Sequence, residues 1–173
     1  DWMVLNPGSS KNRIIPPNMY PEFAEMVVSL MLHAKEKYGG DIKTLSLQNE
    51  PNIGIYVYWS PMELVDVSKV MFAYLDKHGM SDVKLHVGDV NKPTAGVEWY
   101  QPSLDDPEVA SRTAAVSFHT WEGMTQSNLQ EIREFALMNG THTWATEVGT
   151  SSLNNTTYDW ALGSMKMHHY AMK

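Results

Sequence analysis

The chain has 173 residues, of which 43% are apolar, and a net charge of −7. That is enough for one domain with a sizeable core, and the acidic balance without a basic stripe speaks against a nucleic-acid footprint. With no cysteine, disulfides, thiolate metal sites and cysteine nucleophiles are excluded, and no uninterrupted apolar run is long enough to span a bilayer.

The predicted elements alternate from the start. Asp1 to Leu5 is a candidate for the exit of a strand. Tyr20 to Tyr38 has Phe23, Met26, Val27, Leu30, Met31 and Ala34 at three- and four-residue spacing, which predicts a helix that Gly39-Gly40 ends. A strand from Lys43 to Gln48 runs into Asn49-Glu50-Pro51, where the proline stops the ladder because it has no N–H to donate. Ser60-Pro61 opens a second helix with a hydroxyl at the N-cap and proline at the first helical position. Its inward stripe is Leu64, Val67, Met71, Tyr74 and Leu75, and Gly79 closes it.

Val83 to Val87 is the next predicted strand, ending at Gly88-Asp89. Pro93, Gly96 and Pro102 then act as breakers in a looser region. A short helix over Asp106 to Arg112 precedes a strand over Ala114 to His119. Gln126 to Met138 is a helix with Leu129, Ile132, Phe135 and Ala136 inward and Asn139-Gly140 as its stop. A strand over Thr143 to Thr146 delivers Glu147, and a last helix is expected over Tyr158 to Met172.

Strands alternating with helices predict a parallel sheet covered by helices. A doubly wound open sheet fits the length, but no G-x-G-x-x-G or P-loop pattern follows the first strand. A complete (β/α)8 barrel takes about 250 residues. The expected fold is therefore α/β, an incomplete (β/α)8 TIM barrel spanning roughly its third to seventh βα units. Residues 1–173 are expected to form one partial domain, truncated at both ends. The chain starts at Asp1 without a recognisable signal peptide, and reads as an excerpt rather than a mature product.

Two strand ends deliver a carboxylate, Glu50 after Leu45-Ser46-Leu47-Gln48-Asn49 and Glu147 after Thr143-Trp144-Ala145-Thr146. The C-terminal ends of barrel strands are where such a fold keeps its chemistry, and two facing carboxylates are what a retaining glycosidase needs. Glu50 is the candidate general acid/base, since a glycosidic oxygen leaves poorly unless protonated. Glu147 is the candidate nucleophile, and Asn49 a candidate partner for a sugar hydroxyl.

Sugar rings present C–H faces that pack on aromatic rings, which makes Trp2, Tyr56, Tyr58, Trp59 and Trp121 candidate substrate-binding residues, with Trp99 and Tyr100 weaker ones. Asp89 is read either as a sugar ligand or as a turn cap. Metal chemistry finds no support: His168-His169 are adjacent and point apart, and neither H-E-x-x-H nor an EF-hand loop is present. The twelve methionines lie on helix stripes as core filler. Asn139-Gly140-Thr141, Asn154-Asn155-Thr156 and Asn155-Thr156-Thr157 match the glycosylation triplet.

The Asn-Glu-Pro strand end with a later Thr-Glu strand end resembles the clan A glycoside hydrolases, and family 30 most. Trp2-Met3 resembles that family's Pro-Pro-Trp-Met segment, and Leu47-Gln48-Asn49-Glu50-Pro51 its fourth-strand motif. Asp106-Pro107-Glu108-Val109-Ala110 with Val116-Ser117-Phe118-His119 is similar to its approach to the sixth strand. Trp144-Ala145-Thr146-Glu147 is similar to its Trp-x-Thr-Glu seventh-strand motif.

The resemblance implies a retaining β-glycoside hydrolase with no cofactor, acting on an oligo- or polysaccharide outside the cytoplasm (extracellular or periplasmic). Xylan, β-glucans and glucosylceramide-like substrates all stay open. It makes Glu50 the acid/base, Glu147 the nucleophile, Asn49 the hydroxyl-binding neighbour and His119 the sixth-strand histidine, close to the nucleophile and a candidate substrate-binding residue. One departure stands out. The family commonly reads His-Trp-Tyr here, its tyrosine bonded to the nucleophile, whereas this chain reads His119-Thr120-Trp121 and leaves open what orients Glu147. Alternatives are a catalytically silent carbohydrate-binding barrel, or a retaining hydrolase of family 5 or 39. The 173-residue piece alone is expected to be inactive.

Overall fold

The computed structural model describes residues 2–9, 13–53, 57–121, 123, 125–149, 162, 165, 166 and 169. Four strands, β1 (Thr44–Leu45), β2 (Lys84–Val90), β3 (Thr113–His119) and β4 (His142–Glu147), form one sheet in chain order. Every pairing is parallel. Parallel neighbours need a crossover, and helices supply each one. α1 (Tyr20–Tyr38) precedes β1, α2 (Pro61–Lys77) joins β1 to β2, α3 (Gly96–Asp105) and α4 (Pro107–Ser111) join β2 to β3, and α5 (Gln126–Met138) joins β3 to β4.

Local chemistry sets the helix ends. The Ser60 hydroxyl accepts from Glu63 N at 3.3 Å while Glu63 Oε2 accepts from Ser60 N at 2.7 Å, a complete capping box with Pro61 behind it. Asp106 caps α4 by accepting from Glu108 and Val109 N at 3.1 Å each, and the Thr125 hydroxyl caps α5 through Asn128 N. Gly39 takes φ 70° and ends α1.

The core lies between one face of the sheet and the helices. Val87, Val116 and Phe118 of the strands pack with Val67, Met71 and Phe72 of α2, Tyr100 of α3 and Ile132 of α5. Because side chains alternate along a strand, His86, Ser117 and His119 occupy the opposite face. There the Ser117 hydroxyl lies 3.0 Å from His86 Nδ1.

Several expectations need correction. α1 has the predicted bounds, but its buried residues are Tyr20, Ala24, Val28 and Met31, while Met26 and Leu30 are exposed. The cause is the helix's partner: α1 packs on α2, and its apolar residues cover more than the one face that meets it. In α2, Tyr74 is only half-buried, and Val65, Ser68 and Phe72 join the stripe. β1 keeps two of the six predicted residues; past Leu45 the chain bends, and the Ser46 hydroxyl donates to Gln48 O at 3.2 Å.

β2 runs on to Val90, through Gly88 and Asp89. Pro102 sits inside α3 where a break was expected; burial of Trp99, Tyr100 and Ser103 holds that turn against proline's helix penalty. Trp2 and Met3 form a turn, not a strand. The predicted helix Tyr158 to Met172 lies largely outside the described residues, as do His168 and the last two glycosylation triplets. No described helix is long and apolar enough to cross a membrane.

Candidate active site

The chemistry collects where the four strands end. At the end of β1 the chain turns, Pro51 starts a 3-10 turn (Pro51–Ile53), and Glu50 takes φ 46°. Its N–H donates to Asp89 O at 3.0 Å, fastening it to the next strand. Asp89 has φ 49°. These are the only non-glycine residues with positive φ among the described residues, and they touch each other. Strained backbone of this kind persists where the surroundings over-determine it, commonly at functional sites. Gly88 sits beside Asp89 with φ 93°, and a Cβ there would overlap the Tyr100 ring, so the bend requires glycine.

His119 ends β3 with none of its side chain exposed. Nδ1 lies 2.8 Å from Glu50 Oε1 and 3.5 Å from Glu147 Oε2. Nε2 is 3.5 Å from Asp89 Oδ1, a charge contact without a hydrogen bond. Burial opposes a charge on this imidazole, but the carboxylates of Asp89, Glu50 and Glu147 outweigh it and hold the histidine above its ordinary value. For Asp89 the balance runs the other way. Burial pushes its carboxyl up, yet His119 and the Thr146 hydroxyl, 2.5 Å from Oδ1, hold it below the usual range.

A register shift places Thr146. β3 pairs Phe118 with Ala145 and then His119 with Glu147, so Thr146 is the extra residue of a bulge, and its hydroxyl reaches across to Asp89. The same step brings Glu147 level with His119. Glu147 O accepts from Thr120 N at 3.0 Å, and Glu147 Oε2 accepts from Trp121 Nε1 at 3.0 Å.

Glu50, His119 and Glu147 each offer one ligand atom, and these atoms lie within 4.8 Å of one another. This is the one trio among the described residues spaced closely enough to hold a cation, though His119 Nδ1 is already engaged with Glu50. The site opens to solvent, with 42% of the Glu147 side chain exposed. A small, partly open pocket of about 20 Å³ lies away from these carboxylates, between β1, β2 and α2, lined by Ser46, Leu64, Ser68 and Leu85 among others. That holds no more than one water.

The remaining predicted residues scatter. Asn49 is exposed beside Glu50. Trp2 and Tyr58 are exposed and make no hydrogen bond to the carboxylates, and Tyr56 lies outside the described residues. Trp59 is fully buried, edge-on to Tyr20 and Phe23; it is core and offers a sugar no face. Trp99 and Tyr100 are core too, with the Tyr100 hydroxyl donating to Ser117 O. Asp89 turns inward to Thr146 and His119 rather than capping a turn. Sequence reasoning missed Thr146, Thr120 and Gly149. Thr146 had a signal in its place before Glu147; the other two had none.

Protein-family models give no match to this chain, and neither does a search of curated proteins. Solved structures do match it. SrfJ from Salmonella typhimurium superposes with a TM-score of 0.81 at 16% identity, covering 99% of this chain and 38% of that one. A GH30 endoxylanase from Clostridium papyrosolvens C71 gives 0.72 at 18% identity, covering 93% and 39%. The glycoside hydrolase family 30 subfamily 8 xylanase Xyn30A from Clostridium acetobutylicum gives 0.76 at 20% identity, covering 99% and 42%. The chain therefore resembles family 30 enzymes in fold, as an incomplete (β/α)8 barrel, and spans about two fifths of their length.

Proposed function

We propose that these strand ends carry the catalytic pair of a retaining β-glycoside hydrolase, working in a complete barrel that contains this chain. The observation that carries the reading is the approach of the Glu50 and Glu147 carboxylates, with oxygens within 4.8 Å, one from the segment that follows β1 and one from the end of β4, the two outer strands of one parallel sheet. Retaining enzymes hold their carboxyl groups about 5–5.5 Å apart, whereas inverting ones leave about 6.5–9.5 Å for a water. The likeness in fold to family 30 xylanases supports the same assignment and makes xylan the first substrate to try.

The mechanism is double displacement. A Glu147 oxygen bonds to the anomeric carbon as the glycosidic C–O bond breaks, and the departing oxygen takes the Glu50 proton. Glu50 then removes a proton from water, whose oxygen attacks the same carbon and releases Glu147. No cofactor enters these steps. Asn49 is the candidate partner of a sugar hydroxyl; Trp2, Tyr56 and Tyr58 are the candidate aromatic walls. A silent binding barrel drew its support from the missing tyrosine after His119, and a donor at Trp121 weighs against it.

In a complete barrel carrying this chain, Glu147→Gln is expected to abolish hydrolysis while leaving binding of an uncleaved oligosaccharide nearly unchanged. The wild type is expected to release the β-anomer first, read by proton NMR on xylan and on β-1,6-glucan. Full turnover by Glu147→Gln, or first release of the α-anomer, would end this reading.

A further inference from the structure

We infer that Trp121 is the positioning residue of the nucleophile, locked in place by Thr120 and Gly149, and that it leaves Glu147 Oε1 as the attacking oxygen. The inference rests on the glycosidase reading above and goes beyond it.

Both groups that approach the Glu147 carboxylate do so at one oxygen. Trp121 Nε1 donates to Oε2 at 3.0 Å, and His119 Nδ1 stands 3.5 Å from the same atom. Among the described residues, none hydrogen-bonds to Oε1. With Oε2 held, Oε1 forms the new bond to the anomeric carbon. The glycosidic C–O bond breaks at the same time, its electron pair staying on the leaving oxygen, which takes the Glu50 proton. The indole suits this task because it is a donor only. It cannot accept from a protonated carboxyl, and it does not itself titrate.

The support behind the indole is specific. The Thr120 hydroxyl accepts from Gly149 N at 2.9 Å and lies 3.2 Å from Gly149 O, so the chain after β3 is fastened to the chain after β4. A Cβ built on Gly149 would overlap the six-membered ring of Trp121. Because the indole is rigid, any side chain at 149 must displace it from Glu147. Three residues with no separate catalytic signature thus act as one device, which fixes the torsion of a carboxylate that is otherwise partly open to solvent.

The test uses a complete barrel carrying this chain. Trp121→Phe and Gly149→Ala are each expected to lower kcat/KM by about 10- to 100-fold, the worth of one hydrogen bond to a charged group. Affinity for an uncleaved oligosaccharide, measured in the Glu147→Gln background, is expected to change less than threefold. Trp121→Tyr, which restores a donor, is expected to recover most of the loss.

A second measurement separates positioning from sugar stacking. In Glu147→Gly, azide takes the place of the carboxylate on an aryl β-glycoside, and adding Trp121→Phe is expected to leave the azide-rescued rate unchanged. Unaltered kcat/KM in Trp121→Phe, or an azide-rescued rate that falls with it, overturns the proposal. Neither result touches the glycosidase reading as long as Glu147→Gln is inactive, whereas an active Glu147→Gln defeats that reading whatever Trp121 does.

Discussion

His119 is buried at the end of β3 with Glu50, Asp89 and Glu147 around it, and this ring of charge has a definite signature in pH. The imidazole is held above its ordinary value, so its contribution to stability is complete below about pH 6.5. That contribution is lost as pH rises through the raised value. Asp89 is held below its ordinary value, so its contribution is present above the usual carboxylate range and lost as pH falls through the lowered value. Stability from the cluster is therefore greatest in the window between the two. His119→Gln keeps a polar side chain but cannot carry the charge. Its urea midpoint is expected to fall less steeply than that of the wild type between pH 6.5 and 9. Parallel profiles over that range would show that the imidazole is not charged in the folded protein. The resemblance placed His119 close to Glu147 but did not give its contacts with Glu50 and Asp89. The histidine's partners come from the segment after β1, from β2 and from β4, and no local pattern announces a contact between residues so far apart in the chain.

Elements set the geometry that these residues use, and the end of β2 matters most. Gly88 must take φ 93° with the Tyr100 ring against its α-carbon, and Asp89 follows at φ 49° to accept the N–H of Glu50. Gly88→Ala adds strain and a steric overlap together. It is expected to cost about 2–4 kcal/mol in stability, combining left-handed strain with overpacking, and to reduce activity more than its stability loss explains because Asp89 moves. A loss of unfolding free energy below about 1 kcal/mol would show that Tyr100 yields freely. Local punctuation made much of the element order legible. Gly39 and Asn139-Gly140 gave the ends of α1 and α5 to the residue, and Ser60-Pro61 gave the start of α2. Faces and exceptions were less legible, because they depend on neighbours. α1 turns toward α2, Pro102 is carried by the burial of Trp99 and Tyr100, and Trp59 serves the core although its neighbour Tyr58 is exposed. The carboxylate pair was legible because strand ends are marked in the sequence. The bulge at Thr146 that levels Glu147 with His119 was not, since bulges follow from pairing with a strand elsewhere.

At the scale of the whole molecule, the sheet is an arc. Among the described residues β1 pairs only with β2 and β4 only with β3, so each presents one unpaired row of backbone donors and acceptors, a template for association with another chain. Along β4 the burial alternates between exposed and half-buried without a fully buried residue, and Trp144 is exposed. Leu30 on α1 and Leu137 and Met138 on α5 are exposed as well. A strand in mid-barrel is covered on both faces, so these surfaces are suited to packing against further βα units, and the matched structures extend beyond the part this chain covers by about three fifths of their length. The 173-residue chain on its own is therefore expected to self-associate at micromolar concentration and to hydrolyse no glycan. Light scattering and an assay on xylan would measure both. A monomer that unfolds in one sharp transition would mean that the two outer strands are covered from within the chain. Co-expression with the missing strands as a separate chain offers the stricter trial, because a barrel completed in this way should regain solubility and the Glu147-dependent rate together. Recovery of solubility alone would place the fault at the active site rather than at the open edges of the arc.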